Sequence, residues 1–198
     1  MSINKQIIMK TRPVGMPKLE NFEIIENEIP EIRNGEVLIK ILWLSLDPYM
    51  RGRMSKAKSY AASLNEGDVI IGGAVGKVIK SETNEYKEGD IVEGFTLGWQ
   101  EYAIATPATI RKIDPNLAPI QTAVGVLGMP GMTAFFGLLH VGKPIPGDTV
   151  VVSAASGAVG QLVGQIAKIA GCYVIGIAGG KEKCNFLLNT LNFDAAID

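Results

Sequence analysis

One stretch limits what this chain can become: Thr149 to Lys168, TVVVSAASGAVGQLVGQIAK. The β-branched run Val150, Val151 and Val152 reads as a buried strand. Val159, Leu162, Val163, Ile166 and Ala170 then recur at helical spacing, so a strand passes into a helix through small residues. Ala154, Gly157 and Gly160 spell AxxGxxG, the dinucleotide fingerprint with alanine in its first position. Each small residue meets a separate demand: a tight turn at Ala154, close approach of backbone to a pyrophosphate at Gly157, and helix against strand at Gly160. Unpaired N–H groups and the positive dipole end of the helix then face an anion. A glycine-rich packing turn is the plain structural alternative, and the position between a strand and a helix favours the nucleotide over it.

The remaining residues divide around this unit. A chain of 198 residues suggests one large or two small domains, at about 150 residues per domain. Residues 1–125 are β-rich, with Phe22 to Ile25 and Val37 to Leu44 as strands. Glu66-Gly67-Asp68-Val69 and Glu88-Gly89-Asp90-Ile91 share a turn-then-strand form. Gly72, Gly73 and Gly76 predict bulges or tight bends in a barrel-like sheet. Residues 126–198 form the second domain. Ile120 to Leu127 and Ala134 to His140 are expected helices, the second led by Pro130 in its first turn. Val141 to Asp148 breaks that helix and hands the chain to the opening strand. Gly171 stops the central helix, Tyr173 to Ala178 is a second buried strand, Cys184, Leu187, Leu188 and Leu191 mark a further helix, and Asp194 to Asp198 starts a third strand. That is the first half of a dinucleotide fold, so the expectation is a fragment of a longer protein.

Composition excludes several partners. Nineteen basic and 20 acidic residues give a net charge of -1, with no run of like charge, which speaks against nucleic acid. No window is apolar enough for a bilayer, and the N-terminal apolar core is too short for a signal peptide, so the expected place is the cytoplasm with no membrane partner. Cys172 and Cys184 are expected as reduced thiols. The single histidine, His140, is expected to meet the dipole at a helix C-terminus, and no metal site is read.

Cofactor identity rests on the end of the second strand. A carboxylate there binds the ribose of NAD, yet Gly179 and Gly180 are followed by Lys181 and Lys183. A lysine attracts a 2′-phosphate, which favours NADP over NAD, with Glu182 as counter-evidence.

Four stretches carry a resemblance: LSLDPYMRGRM at Leu44 to Met54, Trp99 to Ala103, GMPGMTAFFGLL at Gly128 to Leu139, and AASGAVGQLVGQIAK at Ala154 to Lys168. With them the chain resembles the zinc-independent medium-chain dehydrogenase/reductases, in the group of prostaglandin, leukotriene and plant double-bond reductases. The resemblance implies a GroES-like β-barrel domain followed by an α/β Rossmann domain, incomplete here. It also implies NADPH-dependent reduction of the C=C bond of α,β-unsaturated aldehydes and ketones, a small-molecule enone or enal substrate, and a homodimer at full length. Gly157, Ala158, Val159 and Gly160 would line the pyrophosphate, Lys183 would meet the 2′-phosphate, Met129 and Thr133 would lie beside the nicotinamide, and Tyr49 would face the substrate. Relatives often carry Ser where Gly180 stands and Asp where Lys181 stands, and the tyrosine they place near the substrate carbonyl lies beyond Asp198. A quinone reductase of the same superfamily is the alternative activity, and a cofactor-binding fragment without turnover is the alternative of another class. Arg51 and Arg53 could hold Asp47 or a cofactor phosphate, with structural pairing the expectation, and Trp99 and Tyr102 are expected to pack in the core as part of a strand. The stretch Ser55 to Tyr60 is expected as a mobile loop.

Overall fold

The largely apolar run Val37–Leu44 becomes an inner strand of the first unit's larger sheet, hydrogen-bonded along both edges. A computed structural model describes residues 3–59 and 61–198, so Tyr60 of the expected mobile loop lies outside the described residues. Two units emerge, Met1–Val124 and Gly125–Asp198.

In the first unit β1 (Ile3–Met9) and β2 (Phe22–Glu28) form an antiparallel pair. A five-stranded antiparallel sheet contains β3 (Val37–Leu44), β4 (Ala74–Ser81), β5 (Ile91–Gly94), β6 (Tyr102–Ala105) and β7 (Ile110–Lys112), in the order β6-β3-β4-β5-β7. Val37, Ile39, Val78 and Val92 are fully buried between its strands. Single bridges Gln6 to Gln100 and Ile8 to Val69 attach β1. The sequence pattern hides β1, because one of its buried residues is polar. Asn4 is 2% exposed and copies a strand neighbour with its amide. It donates to Tyr102 O at 3.0 Å and accepts from Tyr102 N at 2.9 Å, so the burial costs no lost hydrogen bond.

Four turns share one device. Gly35, Gly67, Gly89 and Gly147 have φ of 83, 93, 95 and 93°, a region open to glycine. The acid that follows each accepts the amide three residues earlier: Arg33 N to Glu36 at 2.8 Å, Asn65 N to Asp68 at 2.7 Å, Lys87 N to Asp90 at 2.9 Å and Ile145 N to Asp148 at 2.8 Å. The expected strand follows the Gly89 turn; after the Gly67 turn only a single bridge forms at Val69. The glycines at 72, 73 and 76 do not themselves bulge. Gly72 and Gly73 precede β4, and the register breaks leave Ile79 of β4 extra between Leu38 and Ile39, and Leu42 of β3 extra opposite Gly76 and Val75. At Gly76 a Cβ would meet the Ile39 side chain and the Lys40 carbonyl, so the absence of a side chain there permits close strand contact.

In the second unit β8 (Thr149–Val152), β9 (Tyr173–Ile177) and β10 (Ala195–Ile197) form a parallel sheet in the order β10-β9-β8. Parallel strands need crossovers, and α3 (Gly160–Ile169) and α4 (Lys181–Asn189) supply them. Val152, Ala155, Ala167, Val174, Leu187 and Phe193 make the core. Burying Leu187 and Phe193 stabilises the unit by about 2 kcal/mol each. Gly164 of α3 receives the Phe193 ring where a side chain would stand.

Two expected helices change form. Ile120 to Leu127 is a 3-10 turn over Ile120–Val124 followed by turns, because so short a segment, with Gly125 and the β-branched Ile120, Thr122, Val124 and Val126, nucleates an α-helix poorly. The segment beginning at Pro130 is α2 (Met129–Phe135) with Pro130 in its first turn, and it continues as a π-helix over Phe136–Gly142 that ends at left-handed Lys143. His140 sits in the last turn of that π-helix with its ring 4.9 Å from that of Phe136. Among the described residues no helix is long and apolar enough to cross a membrane.

Candidate functional site

The connection from β8 to α3 is built by one strained residue and one missing side chain. Ala154 has φ of 47°, left-handed for a residue that is not glycine, which makes the tight turn expected of it. Its carbonyl accepts the Gly157 amide at 2.9 Å. A Cβ on Gly160 would collide with that same carbonyl and lie 2.8 Å from Ala155 Cα. A Cβ on Gly157 would lie 3.1 Å from Ala154 O and otherwise reach open space. Ala155 is wholly buried, and its amide donates to Ile177 O at 3.0 Å, which ties the turn to the end of β9.

The donors that remain define what the turn can do. Gln161 N bonds Gly157 O at 3.0 Å and Leu162 N bonds Val159 O at 3.1 Å, whereas among the described residues the amides of Ala158, Val159 and Gly160 make no hydrogen bond. No side chain caps α3 and no acid stands in its first turn. Gly157 and Ala158 are exposed. An oxyanion reaching these amides would complete the helix start.

At the end of β9, Gly180 has φ of 91° and is the residue from which α4 begins. Its amide donates to Asp198 Oδ1 at 2.6 Å. Lys181, Glu182 and Lys183 occupy the first turn of α4, all exposed. Two cations at the positive end of a helix oppose its dipole, an arrangement that an anionic ligand relieves. Neither lysine has an ion pair among the described residues.

In α2, Thr133 donates its hydroxyl to Met129 O at 2.7 Å, so these two residues share one face of the helix. A Cβ on Gly131 would overlap the Val126 carbonyl, which fixes the entry to α2. The second unit thus brings Gly157, Ala158, Val159 and Gly160 into one turn and sets Lys183 at the same end of the parallel sheet. Met129 and Thr133 lie on α2, which packs on α3.

Tyr49 belongs to the first unit, where it is the half-buried first residue of α1 (Tyr49–Arg53). Arg51 does not pair with Asp47. Its guanidinium donates to Gly15 O at 2.7 and 3.0 Å and to Pro13 O at 3.3 Å, because a loop of carbonyls lies nearer than the carboxylate. Arg53 does not pair structurally either, and its Nε is buried without a partner. Trp99 precedes β6 instead of lying in it, and stacks on Phe22 with ring centroids 6.0 Å apart. One contact and one missing contact escape sequence reasoning altogether, Asp198 on Gly180 and the unpartnered Nε of Arg53, because both depend on groups brought together across the chain. Both cysteines are free thiols, and among the described residues no cluster of His, Cys, Asp or Glu could hold a metal.

Residues 5–113 match the family described as the N-terminal domain of oxidoreductase. The chain is 49% identical to a putative NADP-dependent oxidoreductase, YfmJ, of Bacillus subtilis, over 98% of this chain and 57% of that protein. It is also 49% identical to the NADP(+)-dependent 2-alkenal reductase of Nicotiana tabacum, over 98% of this chain and 58% of the relative. The structure superposes on that of CurA in complex with NADPH from Vibrio vulnificus with a TM-score of 0.93 at 49% identity, covering 98% of this chain and 57% of that one. The chain therefore spans under three fifths of the length of these relatives.

Proposed function

Since the chain belongs to the oxidoreductase family of zinc-independent medium-chain dehydrogenase/reductases, we propose that it acts in the NADPH-dependent reduction of a C=C bond conjugated to an aldehyde or ketone. The observation that carries the proposal is the Ala154 to Gly160 turn, where a left-handed alanine and a glycine that admits no Cβ leave three amides without an acceptor, which a pyrophosphate would supply. Lys183, at the start of α4, attracts the 2′-phosphate, and Lys181 adds to the field there. The residues present fit the cofactor: the cradle is open where oxyanions approach and closed only where the helix meets the strand.

When bound, NADPH supplies a hydride for the β-carbon of the substrate. This chain's residues do the holding. Gly157, Ala158, Val159 and Gly160 grip the pyrophosphate, Met129 and Thr133 bound the nicotinamide end, and Tyr49 faces the enone with a hydroxyl that can donate to its oxygen as charge builds there. Residues 1–125 serve as the substrate domain and residues 126–198 as the nucleotide domain. The same reading places the protein in the cytoplasm, supported by its two free thiols, and as a homodimer.

Fluorescence titration with NADPH and NADH tests the cofactor, and NADPH oxidation with short enals, enones and quinones tests the reaction. Tighter binding of NADPH with turnover of enones is the expected result. Turnover of quinones alone would overturn the enone reading in favour of quinone reduction.

A further inference from the structure

The first turn of α4 hangs from two glycines. Gly179 and Gly180 connect Ala178, at the end of β9, to the helix, and glycine has more conformational freedom to lose than any other residue. A Cβ on either would meet nothing within 4 Å, so nothing packs where their side chains would stand. Gly179 makes no hydrogen bond among the described residues, and the Gly180 amide makes one, to Asp198 Oδ1 at 2.6 Å. Wholly buried Leu187 anchors the middle of α4, and Cys184 Sγ crosses the loop to Ala178 O at 3.3 Å, but a thiol is a weak donor. Asp198 is therefore the main tie on the turn that carries Lys181 and Lys183.

The tie extends the sheet. β9 and β10 run parallel, and past their last pair, Ile177 with Ile197, the Ala178 amide donates to Ile197 O at 3.0 Å. Gly180 N–H, two residues on, is the next donor of a parallel ladder, and the Asp198 carboxylate takes it in place of a strand carbonyl. An ionised acceptor makes this bond stronger than the neutral one it replaces. Asp198 forms no ion pair with either lysine among the described residues. Its charge would repel a phosphate bound nearby, so what favours an acid here is the hydrogen bond.

We infer that Asp198 is a positioning residue for the cofactor: by holding Gly180 it fixes where α4 begins and where Lys183 stands, and so sets the preference for NADPH over NADH. The inference rests on the proposed reading that Lys183 meets the 2′-phosphate. A turn held in place before the ligand arrives loses less freedom on binding. An acid beside a glycine loop at the end of a strand is also the usual partner of the ribose of NAD, and the test separates the two roles.

Asp198→Ala and Asp198→Asn are titrated with NADPH and NADH by fluorescence. Asp198→Ala should weaken NADPH about fivefold and change NADH less than about twofold. Asp198→Asn, whose amide oxygen accepts the same N–H without the charge, should bind NADPH at least as tightly as the parent. In a background of Lys181→Ala with Lys183→Ala, Asp198→Ala should have no further effect on NADPH, because it acts through those lysines. Without cofactor, hydrogen exchange at the Gly180 amide should speed up in Asp198→Ala and hold in Asp198→Asn. A loss equal for both cofactors, or larger for NADH, overturns the inference, as does an unchanged exchange rate at Gly180 in Asp198→Ala. Should the two lysine substitutions leave the preference for NADPH intact, the phosphate reading fails and takes the inference with it. Should they lower it while Asp198→Ala does not, the inference alone fails.

Discussion

Lys168, near the C-terminus of α3, meets Asp194, just before β10, at 2.6 Å, and the other oxygen of the same carboxylate accepts the Val174 amide at the start of β9, also at 2.6 Å. One side chain thus fastens a helix and two neighbouring strand starts. The hydrogen bond from Lys168, followed by that from the Val174 amide, holds the Asp194 carboxyl below the usual carboxylate range. A group whose pKa is depressed in the folded state stabilises above its unfolded value, near 3.9, and loses that contribution as pH falls through the folded value. Asp194→Asn should therefore lower Tm at neutral pH, and the gap from the unmutated protein should close only below about pH 4. Thermal melts across that range check it; a gap independent of pH would refute the assignment.

In the turn proposed to hold the nucleotide, two glycines separate folding from binding. Gly160→Ala places a Cβ against the Ala154 carbonyl and Ala155 Cα, both backbone, so it should destabilise by about 3 kcal/mol in urea unfolding. Gly157→Ala asks for only a small shift and should stay within about 1 kcal/mol of the parent while losing NADPH affinity.

Lys183 is exposed, so its removal should leave stability unchanged within about 0.5 kcal/mol. Lys183→Ala should weaken NADPH by about tenfold and NADH hardly at all, as a lost charge-assisted contact to one phosphate does. Parallel fluorescence titrations measure both, and equal losses for the two cofactors would remove Lys183 from the site.

Glu93 of β5 is 5% exposed and takes Arg111 Nε of β7 at 2.6 Å. Arg111→Ala leaves a buried carboxylate without its cation and should cost about 3 kcal/mol. Glu93→Val with Arg111→Ala removes both members and should recover most of that loss, because the register sets Glu93 opposite the fully buried Val75 on the same face of the sheet. Chemical denaturation of the single and double variants decides.

The strand, turn and helix from Thr149 onward were legible because local rules act there: a β-branched run, small residues at fixed offsets, then helical periodicity. The mixed fold class followed from the same patterns, with β3 matched residue for residue. β1 was not legible, since Asn4 at its core satisfies itself on Tyr102, 98 residues away. The π-helix after Phe136 was equally hidden, because its apolar pattern is that of an ordinary helix.

By itself, then, the sequence determined the glycine positions, the four acid-closed turns and the lysines after β9, because each depends on contacts within a few residues. Tertiary structure alone decided which arginines the fold consumes. Arg12, Arg51 and Arg53 are alike on paper, and only the chain's long-range path brings carbonyls to the first two and leaves the third with a buried Nε and no acceptor. Hydrogen-bond satisfaction depends on which groups meet across distant segments, and no local periodicity encodes that.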